Sequence, residues 1–224
     1  MKRSDHLKDD SILCYEYLND IYKLQIENKE FNRIHKIAYI YLELDNLLDS
    51  DESKKFYKEI LSNIIYMLYS IKTLTEKTVN MLNRNTIDNL LKICKIKYNL
   101  SKDFRKKHIE DKFKDIKNYN SFNEIDSYCR AIDFLLNEYK EACGYIHSTK
   151  DEYLDLCENL KEYTLYKIDY NKLDRFYKRI LFVLLVIYEK DLKSKSFEKK
   201  AIIRSYIEKD YLKEYLNYFY DAGF

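Results

Sequence analysis

The feature that most constrains this chain is a shortage. In 224 residues there is no proline, and the only glycines are Gly144 and Gly223. Tight turns between strands draw on Gly, Pro and Asn-Gly pairs, because their central positions need a positive or a preset φ. The shortage therefore argues against a sheet fold. It also excludes the glycine-rich phosphate loops, since neither GxGxxG nor GxxxxGK(S/T) can be written with two isolated glycines. GxSxG is excluded for the same reason, and α/β-hydrolase chemistry with it.

Apolar residues instead recur at helical spacing along almost the whole chain. Ile12, Leu13, Tyr17, Leu18 and Ile21 predict a first helix over about residues 8–27, and Phe31 to Leu48 predict a second. "DSDES", residues 49–53, is a polar break rich in N-cap residues. A third helix is expected from Phe56 through Leu74, with a pause between Asn80 and Asn85 before the stripe resumes at Ile87. Residues 101–118 read as a short solvent-facing helix or a semi-ordered connection, and "NYNSFN" reads as a loop. Ile125 to Ile146 form the strongest stripe. Thr149 and Glu152 fit a capping box opening a helix to about Tyr163. Two more helices are expected, one from about Asn171 and one over about residues 196–220.

The expectation is an all-α fold, a multi-helix bundle of about seven to nine helices. No repeat and no Pro-, Gly- or Ser-rich linker divides it. Residues 1–50 read as an N-terminal helical extension and residues 51–224 as one compact bundle. "ILFVLLVIY", Ile180–Tyr188, is apolar on nearly all sides, so that helix is either central or half of a dimer interface. Spanning a bilayer takes about 20 apolar residues, which this run lacks. "MKRSDHLKDD" has no apolar core of a signal peptide, and the five cysteines are odd in number with no CxxC pair. Both point to a reducing cytoplasm, with no membrane, no metal and no cofactor expected.

The net charge is only +2, but charge is segregated by segment. Residues 92–117 carry ten Lys/Arg against four Asp/Glu, residues 172–204 show the same balance, and residues 121–163 reverse it. One reading is a groove for an RNA backbone, with Arg105, Lys106, Lys107, Arg175, Lys178 and Arg179 as its contacts. The other is that these cations are solvated and pair with the acidic segment. The abundance of Lys, Ile, Asn and Tyr reads as codon bias of an AT-rich, bacterial genome, so the 24 tyrosines carry little functional weight.

Among the four histidines, His6 lies near the end of the chain, His35 follows Arg33 on an amphipathic stretch, and His108 sits in a basic one. His147 differs, because it ends the strongest stripe and precedes the capping box. A neutral imidazole there, its pKa lowered by the first turn of the following helix, can act as a general base. The plain alternative is a histidine that caps or packs in a turn.

"NEYKEACGYIHSTKDEY" and "LNRNTIDNLLKICK" together resemble stretches of the HEPN-like helical proteins of bacterial defence and toxin systems. The resemblance covers roughly residues 55–190 by pattern and rests on two short stretches. It implies a metal-independent ribonuclease acting as a homodimer, with His147 as base or acid and Arg84 as the cation on the phosphate. Arg84 can equally form an i,i+4 salt bridge to Asp88. The compact Arg-x4–6-His motif of HEPN ribonucleases is absent, and no arginine lies four to seven residues before His147. The rival expectation is a non-catalytic adaptor or antitoxin-like subunit that binds a cognate protein partner.

Overall fold

The computed structural model describes residues 3–22, 28–70, 74–119, 124–147 and 169–206, which form nine α-helices and no strand. In chain order these are α1 (Arg3–Tyr22), α2 (Asn28–Leu47), α3 (Lys54–Tyr69), α4 (Glu76–Lys97), α5 (Ile109–Lys117), α6 (Asp126–His147), α7 (Tyr170–Ile187), α8 (Glu189–Lys193) and α9 (Phe197–Tyr206). A 3₁₀ turn, Lys102–Lys106, joins α4 to α5. The all-α bundle expected from the helical spacing is what the chain forms.

With glycine scarce, polar side chains mark the helix ends. Thr75 accepts the Thr78 N–H at the start of α4, and the Asp169 carboxylate accepts the N–H groups of Asn171 and Lys172 at the start of α7. In the "DSDES" break, Asp51 accepts from the Ser53 and Lys54 N–H groups and leads the chain into α3. Asn99 ends α4 with φ 48°, the left-handed conformation that glycine usually supplies. The Leu100 N–H then reaches back to the Lys95 carbonyl at 3.0 Å, which closes a Schellman turn.

Helix α7 lies at the centre and packs against α2, α4 and α6, while α3 bridges α2 and α4. Every residue from Ile180 to Tyr188 is buried within this one chain. Of the two roles open to that run, it is the central helix and not half of a dimer interface. Phe31, Ile34, Ile37, Tyr41 and Leu44 of α2 belong to the same apolar core. Helix α2 thus packs into the same core as α3 and α7.

Two details depart from the sequence-based expectation. Helix α3 ends at Tyr69, with the Ser70 N–H bonded to the Tyr66 carbonyl, so Leu74 belongs to the approach to α4. Helix α4 runs through residues 80–85 without a pause. Asn80, Asn83 and Thr86 are buried there. They interrupt the apolar stripe but not the helix, and the Asn80 amide donates to the Glu76 carbonyl of its own preceding turn. The 101–118 connection is ordered by burial of Phe104, Phe113 and Ile116. The capping box expected at Thr149, the helix expected to Tyr163 and the part of the expected last helix beyond Tyr206 lie outside the described residues.

Tyrosine supplies much of the core's polar linkage. A buried phenol needs a hydrogen-bond partner. Tyr41 donates to the Tyr177 carbonyl at 2.7 Å, Tyr57 donates to the Tyr41 carbonyl at 2.6 Å, and Tyr188 meets the Ser53 hydroxyl at 2.8 Å. These bonds tie α2, α3 and α7 together at fixed registers.

Candidate functional site

Helix α4 packs between α3 and α6 and leaves one face outward. Arg84 stands on that side, 30 % exposed, with its Nε 4.0 Å from an Asp88 carboxylate oxygen. The i,i+4 pair expected from the sequence therefore forms, but it is long and not the whole environment. The guanidinium carbon lies 5.7 Å from the centre of the Tyr139 ring on α6, and Arg84 also donates to the Tyr139 phenol. Cys143, one helical turn further along α6, feels the same positive charge.

The electrostatics give each group a clear state. Burial lowers the Arg84 pKa, but the Tyr139 hydrogen bond and the surrounding groups outweigh it and raise it, so Arg84 stays cationic. Burial pushes the Cys143 thiol up despite Arg84 and Tyr139, so the thiol stays protonated at neutral pH and is a poor nucleophile. Burial likewise raises Tyr139.

His147 is the last residue of α6, one helical turn beyond Cys143. Its side chain and the segment that follows lie outside the described residues, and so does the expected lowering of its pKa. The packing of α4 on α6 thus sets Arg84 beside the final turns of the helix that ends at His147. Of the other histidines, His35 is buried and bonded through Nε2 to Asp10 at 2.8 Å, and it stacks on Phe31 and Tyr39. His108 is the exposed residue preceding α5. The His6 side chain is outside the described residues.

Of the six expected RNA contacts, Arg105 alone lines an open groove of about 780 Å³ beside α4. Lys106 is exposed on the same 3₁₀ turn but does not line that groove, and Lys107 is drawn to Asp115 at 2.7 Å. Arg175, Lys178 and Arg179 stand on α7, and none lines the groove. Lys178 is largely buried against Asp174, and burial lowers its pKa. Its neighbour Lys172 bonds Glu141 of α6 at 2.6 Å. At Lys172, then, the second basic segment pairs with the acidic one.

The groove's other cations, Lys92, Lys95, Lys102 and Lys112, were not singled out by sequence. The available signal was their place in the basic segment 92–117, with Lys92 and Lys95 at helical spacing from Asp88. Among the described residues no group of three His, Cys, Asp or Glu side chains is placed to hold a metal ion. No helix there is long and apolar enough to cross a membrane. No protein-family model, curated protein or solved structure matches this chain.

Proposed function

We propose that this chain is a HEPN-like protein of a bacterial anti-phage defence or toxin–antitoxin system, acting in the cytoplasm as a dimeric, metal-independent ribonuclease. The observation that carries the reading is the placement of Arg84 beside the last turns of α6, the helix that ends at His147. In this reading His147 takes the proton of a ribose 2′-hydroxyl. The 2′-oxygen then attacks the adjacent phosphorus, and a 2′,3′-cyclic phosphate forms as the bond to the 5′-oxygen breaks. The leaving 5′-oxygen takes up a proton. Arg84 offsets the charge that builds on the phosphorane, a task its planar fork suits.

Growth after induced expression tests this, together with RNA cleavage by the purified protein in chelator. Arg84→Ala and His147→Ala should each lower cleavage by roughly 10²–10³-fold and relieve growth arrest. Circular dichroism checks that the helices are intact. If both folded variants cleave and arrest growth as the wild type does, the assigned site is wrong.

A second reading, a non-catalytic adaptor that binds a protein partner, is favoured by one observation. Leu13 and Tyr17 of α1, Leu42 of α2, and Ile65 and Tyr69 of α3 are exposed around a single concavity. Protein contacts are among the functions that exposed apolar patches of this kind mark.

A further inference from the structure

The outward face of α4 continues beyond Arg84. Asp88, Lys92, Lys95 and Asn99 follow at helical spacing, and at 1.5 Å per residue Lys95 lies about 16 Å along the axis from Arg84. The Schellman turn at Asn99 then reverses the chain. The 3₁₀ turn and α5 return as an opposite wall that carries Lys102, Arg105 and Lys112. Five cations and two carboxylates, Glu52 and Asp88, line the resulting groove.

The charge in the groove is not consumed internally. Lys95, Lys102, Arg105 and Lys112 make no ion pair among the described residues. Lys97, Lys107 and Lys117 of the same basic segment each bond an aspartate at 2.7 Å or less. Cations that the fold leaves unneutralised on both walls of a concavity fit a ligand with regularly spaced negative charge.

The aromatic side chains narrow the ligand further. Phe56 lines the groove, but Lys55 and Lys92 stand 4.9 and 5.2 Å from its ring centroid. Phe104 is buried. Among the described residues that line the groove these are the two aromatics, so little open ring face is offered to a base, although stacking is the usual way to hold bases in a single-strand channel. A volume of about 780 Å³ admits a short length of one strand. That is small against a duplex, whose phosphates are spread around a wide rod.

We infer that this groove binds the phosphate backbone of single-stranded RNA without reading its bases, and that the strand runs along α4 toward Arg84. The inference rests on the ribonuclease reading, and it locates where the substrate is held outside the reacting phosphate.

Fluorescence anisotropy with labelled oligo-U and oligo-A RNA over a range of salt concentrations tests it. Both should bind with similar affinity. Lys95→Gln/Lys102→Gln/Arg105→Gln should weaken both alike and reduce the slope of log K against log salt by about 2, from about 0.7 per phosphate contact on a single strand. Lys190→Gln, an exposed change on α8, should leave binding unchanged. The inference is overturned by absence of wild-type binding, a wild-type slope in the triple variant, a loss confined to one sequence, or equal competition by duplex RNA. Binding is read on the groove variant and cleavage on His147→Ala, so failure of the groove and failure of the catalytic site are read separately.

Discussion

The Lys97 ammonium, in the last turn of α4, lies 2.6 Å from the Asp51 carboxylate that leads into α3. It also bonds Asp191 of α8 at 2.7 Å and lies 4.7 Å from the centre of the Tyr188 ring. One side chain thus joins the ends of three helices. Two aspartates meet at this point, and the lysine between them is what makes their approach favourable.

Lys97→Met keeps most of the stem's packing and removes the charge, so Asp51 and Asp191 are left facing each other. Because the cluster is partly solvated, the expected loss is about 1–2 kcal/mol. Urea denaturation with an unchanged m-value reads it. The pH dependence has a definite sign. Burial pushes Asp51 up, but hydrogen bonds from Lys97 and Ser53 outweigh it and hold the carboxyl below its ordinary value. Burial lowers Lys97, but its bonds to Asp191 and Asp51 outweigh it and raise the ammonium. The carboxylate contribution is present above its unfolded pKa, near 4, and is lost as pH falls through the lower folded value. The lysine contribution is present below its unfolded pKa, near 10.4, and is lost as pH rises through the higher folded value. The contribution of this cluster should be level between about pH 5 and 9, and Lys97→Met should remove its part of both limbs.

Tyr41 and Tyr57 form a relay, each phenol donating to a backbone carbonyl in the core. Tyr41→Phe leaves the Tyr177 carbonyl without that bond, and Tyr57→Phe does the same to the Tyr41 carbonyl. Each should cost about 1 kcal/mol. The rings touch, with centroids 6.3 Å apart. The double variant should therefore depart from additivity, which a double-mutant cycle measures.

Phe182 of α7 is fully buried, whereas Leu13 of α1 is 65 % exposed. Phe182→Ala should cost about 3–5 kcal/mol through lost burial and the cavity left behind. Leu13→Ala should lie within about 0.5 kcal/mol of wild type. Comparable losses at the two sites in thermal unfolding would mean that α1 packs more tightly than its exposure indicates.

The helical class, the break at residues 49–53 and the burial of Ile180–Tyr188 were legible in the sequence, because periodicity and capping are local properties. Composition alone was enough to remove the sheet and the phosphate loops. Long-range pairing was not legible. The sequence did not reveal that α2 shares the core, that buried asparagines leave α4 unbroken, or that Lys172 of the second basic segment spends its charge on α6. Nor did it reveal that Arg84 meets Tyr139 or that Lys102 and Arg105 face α4 across a groove. Those relationships depend on which helix faces pack and at what register. That is decided by side-chain fit among residues dozens of positions apart, which no local pattern records.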